Sequence, residues 1–386
     1  MSFNSPTNAE LTHPDSKVHA RRWWILTILC LSVFLVVVDS LIINVAIPTL
    51  ARELGATTSG LQWIVDSYAL VFAGLLLACG GLADRFGRKL MMQIGMMLFG
   101  LFSAWAAFTD TTGALIAARG LMGIGAALVF PGTLAILIDV FRNPVERAKA
   151  IGVWSAVSGA AVAFGPVTGG LLLKYFWWGS VFLINIPIVI VALVLQWRFV
   201  PESKDPSAER IDFAGFLLSI AFVSLLVYTV IEGPHRGWSS TATIAGFIGT
   251  VIFLAAFVWR ELNIEHPLLD VRVFRDMRVT AATSSIAIAF FSLFGFTFLV
   301  TQYFQFVRGP LESGFRTLPF AVGAGVTSPL AARLALRFGP KRIVPIGLLL
   351  MGVAIIWVGT QDADSAYFGP IVSSMVLMAC GLALVT

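Results

Sequence analysis

Three ionisable side chains lie inside long apolar stretches of the sequence. Asp39 and Asp66 are the only acidic residues well inside such stretches, and Arg119 is the only basic one. A charged group at membrane depth is costly, and its usual chemistry is proton transfer or ion binding. Because there are two carboxylates for one guanidinium, one carboxylate must take a proton or meet a cationic ligand. A purely structural ion pair between helices is the competing interpretation.

The composition indicates which elements must hold these residues. The chain has 386 residues, of which 58% are hydrophobic and 12% are charged, whereas a soluble domain carries about 25% charged residues. Disorder requires low hydrophobicity, and the strands of membrane β-barrels alternate in polarity over about 10 residues. The apolar runs are about twice as long as such strands, so the sequence predicts an all-α polytopic membrane protein.

Apolar runs separated by charges or turn residues predict twelve transmembrane helices. The runs are 23–47, 61–81, 90–109, 114–138, 149–172, 179–199, 213–232, 241–259, 280–304, 314–333, 342–360 and 368–386. Most of the 26 Lys and Arg residues fall in the loops on the side of the N-terminal tail, residues 1–22. The positive-inside rule therefore predicts a cytoplasmic N-terminus.

The helical rise places the three charged residues in one layer of the membrane. At ~1.5 Å per residue, Asp39 lies ~12 Å below the outer end of the first helix. By the same measure, Asp66 and Arg119 lie ~8 Å below the outer ends of the second and fourth helices. The sequence therefore predicts that these three helices bring their charges together.

Other classes of site have little support in the sequence. Cys30, Cys79 and Cys380 lie in apolar runs without metal-ligand spacing, and no nucleophile, base or metal set is clustered. No long basic block could neutralise a run of phosphates. We therefore expect no enzyme activity, metal, cofactor or nucleic-acid partner. The expected partners are a small-molecule substrate, protons and membrane lipid, and the expected state is a monomer.

A loop motif and its weaker copy indicate an internal repeat. Residues 80–89 read GGLADRFGRK, and residues 337–342 read RFGPKR, eight helices later. Transporter halves of six helices often repeat, so two extra helices separate the halves here. The predicted organisation is a first half at 23–199, a linker at 200–279 with extra helices at 213–232 and 241–259, and four helices of a second half at 280–386.

The loop motif fits the major facilitator superfamily signature G-x-L-A-D-R-x-G-R-K at every defined position. The chain resembles the 14-helix drug:proton antiporters of that superfamily, which implies a major facilitator fold with twelve helices present of fourteen and a C-terminally incomplete chain. The resemblance also implies that this loop latches the two halves on the cytoplasmic side. The implied latch residues are Gly80, Asp84, Arg85, Gly87, Arg88 and Lys89.

Two further motifs strengthen this resemblance. Arg119 with Gly123 and Gly125 looks like the superfamily's second signature, whose arginine is implicated in proton transfer. The fifth helix is similar to the antiporter signature G-x-x-x-G-P-x-x-G-G, with Ala161 in place of its first glycine. That signature marks exporters. Its matching residues here are Gly165, Pro166, Gly169 and Gly170.

The resemblance implies a proton-coupled multidrug exporter of lipophilic cations, working by alternating access in a bacterial-type cytoplasmic (inner) membrane. We expect Asp39 and Asp66 to couple protons, Arg119 to tune Asp39, and Asp66 also to recognise the charge of the substrate. The expected walls of the substrate cavity are Gln62, Phe290, Phe294 and Phe298. Three alternatives remain open: export of an endogenous lipid, amino acid or siderophore, proton-coupled uptake, and a non-transporting sensor or scaffold.

Overall fold

A computed structural model describes residues 15–204, 212–265, 267, 269–308, 316, 318–361 and 367–385. Within these ranges the regular elements are helices, and none is a strand. The all-α prediction is therefore confirmed. Eleven of the described helices are long and apolar enough to cross a membrane.

The first half contains α1 (Asp15–Glu53), α2 (Thr58–Phe86), α3 (Arg88–Ala107), α4 (Thr112–Val140), α5 (Pro144–Tyr175), α6 (Ser180–Leu183) and α7 (Asn185–Phe199). The remainder contains α8 (Phe213–Arg236), α9 (Thr241–Asn263), a 3-10 turn (Val271–Arg275), α10 (Met277–Arg308), α11 (Leu318–Phe338), α12 (Pro340–Gly359) and α13 (Val372–Val385). Short polar side chains cap several helices. Thr57, for example, accepts a hydrogen bond from the Gly60 amide at the start of α2.

Several helix boundaries differ from the sequence prediction. α2, for example, continues to Phe86, beyond its predicted end at 81. α1 begins at Asp15, within the predicted tail, because its polar first turns continue the helix and Arg22 pairs with Glu146 of α5 at 3.0 Å. The run 314–333 begins outside the described residues, and its helix, α11, is not among the eleven candidate spans. The last helix proper begins at Val372 because Pro370 and Gly369, with φ of 122°, interrupt the run.

Close backbone contacts hold α4 between α2 and α3. A Cβ atom built on Gly123 would lie 2.7 Å from the Tyr68 carbonyl oxygen of α2. One built on Gly125 would lie 2.6 Å from the Gly95 carbonyl oxygen of α3. Small residues permit this approach between membrane helices, so the glycines of the Arg119 motif fix the position of α4.

The two extra helices form a hairpin that packs on α2. Trp63 of α2 donates to Glu232 of α8 at 3.1 Å. At the other end of the hairpin, the Asp212 carboxylate accepts hydrogen bonds of 2.6–2.8 Å from Arg260 of α9. Burial raises the pKa of Asp212, but the bonds from Arg260 and from backbone amides outweigh it and leave the pKa below its ordinary value. The hairpin is therefore attached to the first half.

The second half has its own core and meets the first half along α1 and α5. Leu293 and Phe296 of α10 pack with Met351 of α12 and Met375 of α13. Leu41 of α1 belongs to the same buried cluster. Contacts between α5 and α11 complete the junction. Asp39 therefore lies two residues from a side chain that packs into the second half.

Candidate functional site

Asp39 and Arg119 form an ion pair in the interior of the first half. The Arg119 Nη1 group donates to the Asp39 Oδ2 atom at 2.5 Å, and both side chains are completely buried. Breaking such a pair leaves an uncompensated buried charge and costs about 3–5 kcal/mol. The prediction that α1 and α4 bring these charges together matches this geometry.

The second carboxylate oxygen of Asp39 binds an uncharged network. The Asn185 amide donates to the Asp39 Oδ1 atom at 2.7 Å and to the Ser103 hydroxyl at 2.9 Å. Ser103 in turn donates to the Phe182 carbonyl oxygen at 2.9 Å. Asp39 is therefore held from two sides, by a cation on α4 and by an amide at the start of α7.

Arg119 makes further contacts with α2. Its Nε group donates to the Ile64 carbonyl oxygen at 3.3 Å, and its guanidinium carbon lies 4.3 Å from the centre of the Tyr68 ring. The Tyr68 hydroxyl donates to the Val36 carbonyl oxygen of α1 at 3.2 Å. The Nη2 group of Arg119 is buried without a hydrogen-bond partner among the described residues. Arg119 thus links α1, α2 and α4.

Asp66 lies on α2 apart from this pair. Its side chain is half-buried, and it has no hydrogen bond or ion pair within the described part of the chain. Gln62, one turn earlier, lies 3.2 Å from the His235 ring nitrogen of α8. The structure therefore joins two of the three predicted charges and leaves the Asp66 carboxylate available.

The predicted aromatic wall lies on the exposed side of α10. Phe290, Phe294 and Phe298 are 42%, 48% and 48% exposed, whereas Leu293 and Phe296 of the same helix are buried in the second half. A cavity of about 340 Å³ lies elsewhere, between α5 and the last three helices. Small residues such as Gly152, Ala156 and Ala324 line it. None of the four predicted wall residues is among those that line this cavity.

The antiporter glycines pack against α1 beside Asp39. A Cβ atom built on Gly165 would lie 2.9 Å from the Leu41 Cβ atom, and one on Gly169 would lie 2.9 Å from a side-chain carbon of Ile42. Pro166 and Gly170 are buried within the same helix. The motif thus sets the distance between α5 and α1 at Leu41 and Ile42, two and three residues after Asp39.

Residues 80–89, predicted as a loop, form a charged cluster centred on Arg88. Residues 80–86 are the end of α2, and only Gly87 separates them from α3. Arg88 donates to Asp84 at 2.7 Å, to Ser203 at 3.2 Å and to Asp139 at the end of α4. Gly87 has a φ of 115°, a conformation that favours glycine. The remaining motif residues lie around this cluster: Gly80 packs near Pro131, Arg85 lies over the Phe86 ring, and the Lys89 amide donates to Glu202.

The partners of this cluster belong to the first half and to the segment that follows α7. Within the described part of the chain, no hydrogen bond or ion pair joins residues 80–89 to α10–α13. The cluster therefore fixes the end of α2, the start of α3 and the end of α4 to one another in this conformation. A latch between the halves stays a prediction.

Weakening the cluster should slow conformational exchange. In Asp84→Asn, Arg88 loses a half-exposed ionic partner worth about 0.5–1 kcal/mol, so we expect turnover to fall roughly two- to fivefold while substrate binding is retained. Asp110→Asn removes an exposed carboxylate that no motif uses and is the matched control. The measurements are substrate binding in detergent and transport in vesicles. Normal turnover in Asp84→Asn would leave the latch hypothesis without support.

The sequence did not point to Asn185, Ser103, Asp139 or Ser203. Asn185 and Ser103 are neutral polar residues in apolar runs, where most such side chains only satisfy a local backbone bond. The one available signal for Asn185 is Pro187, because a proline two residues later breaks the helical hydrogen-bond pattern and allows unusual polar contacts.

The comparison with protein families now decides the identity of the fold. Residues 29–386 match the profile of the Major Facilitator Superfamily. The chain belongs to the Major Facilitator Superfamily. This membership confirms the family predicted from residues 80–89 and places the chain in a superfamily of transporters, not of enzymes.

Within the superfamily, the chain is similar to bacterial proteins named for drug resistance. The chain is 36% identical over 354 residues to the multidrug resistance protein Stp of Mycobacterium tuberculosis, which covers 91% of this chain and 65% of Stp. It is 37% identical over 347 residues to the methyl viologen resistance protein SmvA of Salmonella typhimurium, covering 89% of this chain and 70% of SmvA. The chain therefore spans about two thirds of the length of these Major Facilitator Superfamily relatives.

A solved structure agrees with the fold. The xylose transporter XylE from E. coli, in a partially occluded inward open conformation, aligns with a TM-score of 0.63 at 17% identity, over 95% of this chain and 82% of XylE. This level of identity shows the major facilitator fold alone. Together with the bacterial relatives and the apolar helices, it identifies a multi-pass protein of a bacterial inner membrane.

Proposed function

We propose that the chain carries out proton-coupled efflux of lipophilic cationic compounds. The observation that carries this proposal is the completely buried Asp39–Arg119 pair, which lies where the antiporter glycines hold α5 against α1. The proposed proton acceptor therefore lies on α1, the helix against which the glycine motif of α5 packs. The names of the relatives Stp and SmvA support drug efflux as the activity.

The proposed coupling step is the protonation of Asp39. The ionised carboxylate binds Arg119 on α4 and Asn185 on α7. A proton taken from the outside neutralises Asp39 and weakens its attraction to Arg119, so α1 and α4 can separate. Release of that proton to the inside restores the pair. Each charge moved through 100 mV supplies ~2.3 kcal/mol, so the proton gradient drives export without a bound cofactor.

Asp66 is the proposed site of charge recognition. Its carboxylate is half-buried and has no counter-ion among the described residues, so a cationic substrate would supply one. Binding a cation in place of water at such a group is most favourable where burial has already removed part of the hydration shell. Gln62 and the aromatic residues of α10 remain proposed wall residues of an alternate conformation.

The role of Asp66 can be tested by comparing a charged and an uncharged substrate. We expect Asp66→Asn to reduce export of the cation ethidium by about tenfold or more, because a contact with an ionised group is worth about 1.5–3 kcal/mol. Export of the neutral dye Nile red should fall less than that of ethidium. Dye fluorescence in inside-out vesicles with an imposed pH gradient measures both. Equal losses for the two dyes would contradict charge recognition by Asp66.

The same vesicles test the proposed function itself. Acidifying the lumen of inside-out vesicles should drive ethidium into them, and collapsing the gradient with an ionophore should stop its uptake. Ethidium movement in the opposite direction would indicate proton-coupled uptake. Strong competition by a lipid, an amino acid or a siderophore, with none by drugs, would indicate an endogenous substrate.

A further inference from the structure

Asn185 occupies a position from which it contacts Asp39 and the α6–α7 junction together. It is 1% exposed and is the first residue of α7. Pro187 lacks an amide hydrogen, so the helix pattern is disturbed around this junction. The Phe182 carbonyl oxygen accepts the Ser103 hydroxyl at 2.9 Å, and the Ile184 amide donates to the Ser180 carbonyl oxygen at 3.1 Å. Asn185 therefore lies where α6 passes into α7, directly beside the Phe182–Ser103 contact.

The hydrogen-bond donors of Asn185 are fully used when Asp39 is ionised. An ionised carboxylate only accepts hydrogen bonds, and an amide nitrogen offers two donors. One of them is directed to the Asp39 Oδ1 atom and the other to the Ser103 Oγ atom. The reversed amide would place its oxygen against the carboxylate, so the charge on Asp39 determines the orientation of the Asn185 amide.

When Asp39 is protonated, Asn185 must accept a hydrogen bond from it instead of donating one. A carboxylic acid has a hydroxyl donor, and the Asn185 oxygen can accept it once the amide turns over. The Ser103 hydroxyl, which donates to the Phe182 carbonyl oxygen in this structure, can then turn to donate to the same Asn185 oxygen. In both states the Asp39 carboxyl group therefore keeps a hydrogen bond to Asn185 without a movement of the α7 backbone.

No charged group that the structure describes near Asp39 can both donate a hydrogen bond to it and accept one from it. Arg119 on α4 binds the other carboxylate oxygen, and Tyr68 on α2 directs its hydroxyl to Val36. α3 and α7 contribute the neutral residues Ser103 and Asn185. Within the described contacts of Asp39, no charged group comes from α5 or α10. Asn185 is thus the neutral partner that can both donate to Asp39 and accept from it.

We propose that Asn185 is a positioning residue that gives Asp39 a hydrogen-bond partner in both protonation states by reversing its amide. This inference rests on the proposed proton coupling through Asp39. Asn185 holds the carboxyl group in place while the proton binds and leaves, and Ser103 reorients with it. The reversal lets Asp39 exchange a proton while its carboxyl group keeps a hydrogen bond to α7.

The test is to measure the pH midpoint of Asp39 protonation. Infrared difference spectroscopy of the purified chain at a series of pH values gives this midpoint. The Asp39 band is the carboxylic acid signal that disappears in Asp39→Asn. A hydrogen bond to an ionised group is about twice as strong as one between neutral groups. Asn185→Leu therefore destabilises the ionised form more than the acid, and we expect the midpoint to rise by about one pH unit.

A matched control exists on the same pair of helices. Gln196 of α7 is also completely buried and donates to Ser32 of α1 at 2.9 Å. Gln196→Leu removes an equivalent contact between α1 and α7 and should leave the midpoint unchanged. Asn185→Ser restores a group that both donates and accepts, and should return the midpoint towards the original value.

The inference is overturned if Asn185→Leu leaves the midpoint unchanged, or if Gln196→Leu moves it equally. Should Asn185→Leu not fold, Ser103→Ala decides, because it removes the second partner of the amide; a smaller upward shift supports the inference, and no shift overturns it. Ethidium transport in the same variants separates this inference from the proposed function. Proton-driven transport by the unaltered chain with no midpoint shift in the variants contradicts only the role of Asn185.

Discussion

Asp39→Asn should abolish proton-driven export of ethidium while the protein remains folded. The neutral amide can still accept a hydrogen bond from Arg119 but cannot gain or lose a proton at physiological pH. Because the buried guanidinium loses its counter-ion, we expect the free energy of unfolding to fall by about 3–5 kcal/mol. Vesicle transport and thermal unfolding in detergent measure the two effects.

Two further variants separate charge from packing at this site. Glu53→Gln removes an exposed carboxylate near the end of the same helix and should leave export and stability unchanged. The double variant Asp39→Leu/Arg119→Met replaces the pair by apolar residues, which is often neutral or stabilising. We expect it to recover stability without recovering export. Export by this double variant would show that Asp39 and Arg119 serve structure only.

Gly165→Ala should separate α1 from α5 beside Asp39. The added methyl group would lie 2.9 Å from the Leu41 Cβ atom and 3.2 Å from the Val38 carbonyl oxygen. Overpacking of this kind costs about 1–3 kcal/mol. Because Val38 and Leu41 flank Asp39, we expect export to slow by about tenfold, the equivalent of about 1.4 kcal/mol in the activation energy.

Another glycine of the same helix is the control for this substitution. A Cβ atom on Gly159 would meet no atom within 4 Å, and alanine favours a helix over glycine by about 0.5–1 kcal/mol. Gly159→Ala should therefore be as stable as the unaltered chain or more so. Equal losses of stability in the two variants would show that contact with α1 is not the reason for glycine at position 165.

The sequence predicted the helices and the Asp39–Arg119 pair for a simple physical reason. Charges in apolar runs are rare, and helical rise converts their positions into depths. The location of Asp66 relative to that pair could not be predicted in this way, because depth does not fix the direction in which a side chain points. In the structure, the preceding turn of α2 faces the extra hairpin, because Gln62 contacts His235 and Trp63 donates to Glu232.

Neutral partners escaped prediction for a different reason. Asn185 and Ser103 act through hydrogen bonds that depend on the exact packing of α1, α3 and α7, and no charge or spacing marks them. Likewise, the basic loop was evident in the sequence, but its partners Asp139 and Ser203 lie 51 and 115 residues from Arg88. Long-range contacts of this kind follow from the fold and not from local pattern.

The most direct test of proton coupling is proton release when substrate binds. Ethidium is added to the purified protein in a weakly buffered solution, and a pH indicator reports the protons released. Proton coupling through Asp39 predicts release by the unaltered chain and by Glu53→Gln, and none by Asp39→Asn. Undiminished release by Asp39→Asn would contradict the assignment of the coupled proton to the buried pair of Asp39 and Arg119.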